Sequence, residues 1–409
     1  MKISCALLGV MCAGSVLVLS AADAVITETG AKGGGEVLET QAIQAAIDRV
    51  AATGGGRVTV PAGTFRTGTI YLKSHVELHL AQGARLLGSG DLGDYNPTNA
   101  FPQNWGSVNE GWSARHLILA LEQEDVAITG EGVIDGNGRA FFGDKVLYRG
   151  KVCWRDGGFS AKDHAHQGRP GQMIEFVECR NVRVRDIRIE DAPCWSCFFY
   201  GCDDVSVRGV RVENGLRNLN TDGLDIDSCR NVTVSDCLIR TGDDAIAIRG
   251  APARLKNPAR VCENVTVENC VFHVSADGMR IGVGTGTIRH VRISNIVVEH
   301  AGVGFHIQPV YGNRGGVDIS DISISHCSVR GAAEAISVLG WPTKRMRNLS
   351  FSDILYEEND IVPGVPMVNA SHADGVVFRG IRAYRGDGVA RPMVRADVAV
   401  DAAAVEILP

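Results

Sequence analysis

Asn220-Thr221-Asp222-Gly223-Leu224-Asp225 and, one turn of chain later, Gly242-Asp243-Asp244 bring four aspartates into one neighbourhood. Carboxylates gathered in this way repel one another and add little to a scaffold, so the cluster points to chemistry. Glycosidic cleavage is the reaction that most needs such a set. One carboxylic acid protonates the leaving oxygen while another carboxylate activates water, and the pair stands about 6.5–9.5 Å apart when configuration inverts. The same hard oxygen donors suit calcium, as a lyase-type reaction would require, but inverting hydrolysis needs no metal and no cofactor is expected.

Whether these residues meet depends on the elements that carry them. Asn231-Val232-Thr233-Val234-Ser235-Asp236-Cys237, lying between the motifs, is one copy of a recurring apolar-x-apolar unit with Asn or Asp just before or shortly after it. Counted at Val182, Val205, Val232, Val265, Val291, Val317, Leu349 and Val376, the units start 23, 27, 33, 26, 26, 32 and 27 residues apart. Short β segments at this spacing, with no helices between them, indicate a solenoid whose coils bury their inward side chains against one another. The expected fold is all-β, a single-stranded right-handed parallel β-helix. Ahead of it, Ile43, Ala46, Ile47 and Val50 recur at helical spacing behind Thr40, a suitable N-cap, and Gly54-Gly55-Gly56 ends the run. This helix reads as a plug over the open end of the β-structure.

The repeat converts sequence offsets into geometry. Asp222 and Asp243 are a little under one coil apart, and Asp277, one coil further on, should stack beside Asp244. Asp186, Asp236, Asp321 and Asp353 fall instead at a turn position shared by the repeats, where Asn and Asp bond to backbone and form polar ladders. Cys179, Cys202, Cys229 and Cys262 share one position of successive units, and Cys237 and Cys270 another. Parallel Cβ vectors about 4.8 Å apart favour ladders of buried thiols over disulfides. Cys194-Trp195-Ser196-Cys197 lacks a thioredoxin-like βαβ setting and reads as packing or a local disulfide.

A net charge of −6 and the absence of a basic stripe with interleaved aromatics argue against a nucleic-acid partner. Met1-Lys2, an apolar run from Ala6 to Leu19 and Ala22-Asp23-Ala24 form a signal-peptide pattern. Residues 1–24 are therefore expected to be a leader and residues 25–409 one exported catalytic domain, periplasmic or extracellular, with no membrane span and with a monomer favoured.

On these motifs the chain resembles the polygalacturonase-like glycoside hydrolases of family 28. The resemblance runs from the helix and Val58-Thr59-Val60-Pro61-Ala62-Gly63 through Gly130-Glu131-Gly132-Val133-Ile134-Asp135-Gly136 to Pro193-Cys194-Trp195 and the two aspartate motifs. It implies that Asp244 is the general acid and that Asp222 and Asp243 hold the attacking water. It also exposes departures. Ala276-Asp277-Gly278 stands where the family has Gly-His-Gly, and His306-Ile307-Gln308 where it has the Arg-Ile-Lys that grips a substrate carboxylate, with Arg314-Gly315-Gly316 following. Without those two cations the charge-assisted grip on galacturonate is missing. Arg249 and Arg280 either replace them or neutralise the acidic cluster, and His306 either meets a sugar hydroxyl or is a plain surface histidine.

Asn220, Asp225, Arg249, Asp277, Arg280, His306 and Gln308 complete the expected substrate-binding set, together with Trp112 and Trp154 from two non-repeat insertions, Asp91 to His116 and Arg139 to Gly171. Long walls on a rigid scaffold carry specificity and narrow a groove to a pocket, which favours action on chain ends of a pectic poly- or oligosaccharide. A carbohydrate-binding β-helix without catalysis, and a lyase or epimerase using Arg280 as base, are the alternatives.

Overall fold

The computed structural model describes residues 22–104, 113–142, 168–216, 218–311, 315–358, 368–385, 390–391 and 405–408. Trp112, Trp154, Arg314 and residues 1–21 of the expected leader lie outside the described residues.

Alternation of valine and isoleucine with polar residues produces the expected right-handed parallel β-helix. Each coil begins with a strand such as Arg230–Ser235, whose Val232 and Val234 point inward and are almost wholly buried, and continues into a short strand such as Leu238–Thr241. After a turn it closes with a third strand, Ile246–Gly250 in that coil. Third strands from successive coils build one 10-stranded parallel sheet from Ile70–Tyr71 to Val368–Ser371, and this sheet carries the site.

Corners between strands need a left-handed backbone. Asn181, Asp204, Asn231, Asn264, Asp321 and Asn348 occupy one such corner at φ 53 to 59°, a region that Asn and Asp tolerate better than most side chains. Asp186, Asp236 and Asp353 take a second corner. Asp321 therefore belongs with the first set rather than the second. The repeat count is corrected in the same place: Val291 pairs with Ile322, and Ile322 with Leu349, so the unit counted at Val317 starts at Ile322. Val317-Asp318-Ile319 has the same alternation but precedes the left-handed corner.

Helix α1 spans Thr40–Ala52 and buries Ile43, Ala46, Ile47 and Val50 over the first coil. Its N-cap is Glu39, not Thr40, because the Thr40 hydroxyl is already taken by the Gly68 N–H at 2.8 Å. The nine described cysteines are buried, Cys194 and Cys197 among them, and the stacked Cys179, Cys202, Cys229 and Cys262 are free thiols. These stacked thiols donate to carbonyls of their own or the preceding coil, as Cys229 does to Phe199 at 3.3 Å.

Candidate active site

The two aspartate motifs occupy equivalent stretches of adjacent coils. Leu224 pairs with Ile246, and Ile246 with Met279, so Asp222, Asp244 and Asp277 fall in one column, one per coil. Asp243 joins them from the turn before, and oxygens of Asp222, Asp243 and Asp244 lie within 4.8 Å of one another. The glycines of the motifs are required by close approach: a Cβ on Gly242 would stand 2.1 Å from the Asn218 carbonyl, and one on Gly223 2.5 Å from that of Ala245.

Two residues not singled out as site residues from sequence hold this turn in place. Asn214 is buried, and its amide donates to Ser196 Oγ at 2.8 Å and to the Thr221 carbonyl at 3.0 Å. Arg169, also buried, donates to the carbonyls of Pro193 and Leu219 and to Asn220 Oδ1 at 3.0 Å. Asn220 sits at φ 55° and turns its own N–H onto Asp243 Oδ2 at 2.9 Å. Nothing in the alternating pattern marks either residue, since both act from turns.

The cluster opens into a cavity of about 430 Å³ lined by Asn220, Asp222, Asp243, Asp244, Asp277 and Arg280, with Arg249, His306 and Gln308 further along the wall. Asp222 and Asp244 are only 4% and 9% exposed, so they lie on a cleft floor rather than on an open outward face. Burial, then the charges of Asp243, Asp225 and Asp244, hold Asp222 well above the usual carboxylate range. Burial, then the charges of Asp277 and Asp243, do the same to Asp244, with Arg280 pulling the other way. Asp277 behaves oppositely. Burial pushes it up, but His306 and Arg280 outweigh burial and bring it below its ordinary value. The Asp277 charge thus raises the proton affinity of Asp244, while its N–H, donating to Asp244 Oδ1 at 3.0 Å, pulls the other way.

His306 is no surface histidine. It is buried, with Nδ1 2.7 Å from Asp277 Oδ2, and Arg280 Nη1 reaches the same oxygen at 3.3 Å. The Arg280 guanidinium also lies 4.9 Å above the Tyr311 ring. Arg249 packs 4.4 Å over Trp195 and stands 3.6 Å from Asp225. Asp225, expected to touch substrate, is instead fully buried and set behind the cavity lining as a counter-charge to Arg249. Both arginines thus stand beside aspartates of the acidic cluster and also line the cavity. Glu334, Tyr311 and Trp195 line the cavity as well and escaped the sequence reading.

On the N-terminal side of Asp222 the sheet face is filled. Phe101, Cys194, Trp195, Phe198, Tyr200 and Leu255 pack into a separate apolar cluster, with the Trp195 and Phe198 rings edge-on at 5.3 Å. Among the described residues the cavity is bounded by Trp195 at this end and runs toward the C-terminal coils.

Residues 56–257 match the family profile of the glycosyl hydrolases family 28. The chain is a divergent member of that family. A probable polygalacturonase of Vitis vinifera is 29% identical over 197 residues, 46% of this chain and 36% of the relative. An exo-poly-alpha-D-galacturonosidase of Dickeya chrysanthemi is 27% identical over 238 residues, 50% of this chain and 39% of the relative. The matched part thus spans well under half the length of these curated relatives. The fold is shared with a solved exopolygalacturonase from Thermotoga maritima at a TM-score of 0.65, covering 88% of this chain and 92% of that one at 22% identity.

Proposed function

We propose that this family 28 chain is an exported glycoside hydrolase that removes sugars from the end of a pectic polysaccharide or side chain by cleaving an α-glycosidic bond. The observation that carries this reading is the Asp222–Asp243–Asp244 cluster, in which Asp244 is kept protonated by burial and by its neighbours while Asp243 is the most solvent-open member. In this role Asp244 gives its proton to the leaving oxygen, Asp243 takes the proton of the attacking water, and Asp222 helps to hold that water in place.

The apolar cluster that bounds the cavity beside Trp195 supports action at chain ends. Asp277 takes His306 Nδ1 and Arg280 Nη1 and leaves His306 Nε2 and Arg280 Nε and Nη2 unpartnered beside the cavity, which supports a substrate unit held there through its oxygens. Export is supported by the apolar leader. Asp23 Oδ1 accepts the Arg57 N–H at 2.8 Å and Ala24 pairs with Val58, so a cut after Ala22 keeps contacts that a cut after Ala24 removes. N-terminal sequencing of the secreted protein distinguishes the two.

Inversion is the stereochemical outcome we propose, with two carboxylates sharing the water. The carboxylate spacing favours a second reading. Oxygens within 4.8 Å are closer than the usual inverting gap of about 6.5–9.5 Å and nearer the spacing of about 5–5.5 Å at which one carboxylate attacks the anomeric carbon directly. Proton NMR of the first-formed sugar separates these outcomes, because an inverted anomer supports the shared water and a retained one the direct attack. Absence of any sugar release from oligogalacturonides, rhamnogalacturonan fragments and their neutral side chains overturns the proposal.

A further inference from the structure

The catalytic cavity does not end at its own rim. Gln308 and Leu339, which line it, also line a second depression of about 470 Å³ completed by Gly340, Trp341, Pro342, Ser371 and His372. Trp341 is 52% exposed, although an indole is among the side chains that lose most by facing water. It is not loose. Its N–H and carbonyl exchange hydrogen bonds with Lys344 at 3.1 and 3.0 Å, and the Lys344 ammonium is held by Asp318 at 2.9 Å. Gly340 brings the turn so near the next coil that a Cβ there would meet the His372 carbonyl at 2.1 Å. The indole is an apolar face presented to solvent from a backbone turn that these bonds fix.

Its position along the solenoid gives it a role. The coils holding Asp244 and Glu334–Leu339 are three steps apart through Asp277–Gly284 and Val303–Gln308, a distance of about 14 Å at β-strand spacing. A pyranose unit in a polymer covers a length similar to one coil spacing. Among the described residues the cavity is bounded by Trp195 at one end and continues toward the C-terminal coils, so a chain seated over Asp244 and extending that way passes Tyr311, itself 50% exposed, and then Trp341.

We infer that Trp341 is the floor of a remote glycosyl subsite, stacking on the apolar face of a sugar ring about three units from the bond at Asp244, with Ser371, His372 and Gln308 around it as partners for hydroxyls. The inference rests on the proposed glycosidase reading but concerns binding alone. It accounts for an exposed indole on a fixed backbone turn, beside a depression that shares two wall residues with the catalytic cavity.

Isothermal titration of the Asp244→Asn protein, with and without Trp341→Ala or Trp341→Phe, against oligogalacturonides from disaccharide to hexasaccharide and their carboxyl-reduced neutral counterparts tests it. Affinity should rise between the disaccharide and the tetrasaccharide. Trp341→Ala should remove that rise, weakening the longer ligands by roughly three- to tenfold and leaving the disaccharide unchanged, and Trp341→Phe should retain most of it. Equal affinity of Asp244→Asn with and without Trp341→Ala for every length overturns the subsite and leaves the glycosidase reading standing. Binding of no member of either series overturns the glycosidase reading for these glycans and the subsite with it.

Discussion

Two stacks of Asn and Asp run along this solenoid with the same coil spacing and opposite chemistry. At the outer corners Asn231 donates to Asp204 at 2.9 Å, Asn264 to Asn231 at 3.0 Å and Asn348 to Asp321, so each of these amides donates to the carboxylate or amide of the preceding coil. In the cleft Asp222, Asp244 and Asp277 stack with no amide among them, and two of the three are driven to hold protons. The first arrangement settles charge and stabilises the corner. The second leaves charge unsettled, which is what acid–base chemistry requires and scaffolding avoids.

Substituting within the cleft column should give the largest effect. Asp244→Asn is expected to cut turnover at least about a hundredfold, as loss of a general acid does, while raising the melting temperature because one buried carboxyl no longer has to be kept from ionising. Sugar release and calorimetry on one preparation check both halves, and a fall in stability together with full activity would sink the contrast.

The pH dependence of that stability gain has a defined sign. Asp222 and Asp244 bind protons more tightly folded than unfolded, so their contribution is complete below the ordinary carboxylate pKa. It is lost as pH rises through their raised folded values. The stability difference between Asp244→Asn and the parent should therefore widen from acid toward neutral pH. A constant difference measured by denaturant titration across that range counts against the protonated column.

Asp277→Asn should act more gently. After burial, Asp277 is the leading cause of the raised Asp244 value, so its neutralisation should move the alkaline limb of the activity profile to lower pH while turnover at the optimum changes less. The profile of kcat against pH reads this directly. Smallest of all, Asn231→Asp puts a carboxylate beside Asp204 where an amide now donates. A loss of about 0.5–1 kcal/mol in stability with unchanged kcat is expected, and a change in kcat would mean that the corner ladder reaches the site.

The column was legible before the fold because repetition does the work of geometry. Once Val232 and Val265 are matched, Asp244 and Asp277 must align, and the same logic brings Arg280 and His306 alongside. Legibility failed where repetition misleads or stops. Val317-Asp318-Ile319 imitates the start of a unit, and only the left-handed corner at Asp321 reveals the true start at Ile322. Asp225 alternates with inward residues as substrate ligands do, yet the packing of Arg249 on Trp195 seals it away. Trp341, Tyr311, Arg169 and Asn214 lie on turns or insertions whose lengths follow no period. An isolated aromatic in the polar turn Gly340-Trp341-Pro342-Thr343-Lys344 was the one local signal available for the first of them.

The aromatic plug behind Asp222 also governs traffic. Among the described residues the cavity is bounded by Trp195 at one end and continues toward the C-terminal coils, so a sugar cut off at the Trp195 end has the remaining polymer between itself and the C-terminal opening. Under the proposed end-wise action the shortened chain must back out before product leaves, and a fresh end must then find the mouth. Such an enzyme works one bite per encounter, and the released sugar competes with the next chain end for the same chamber.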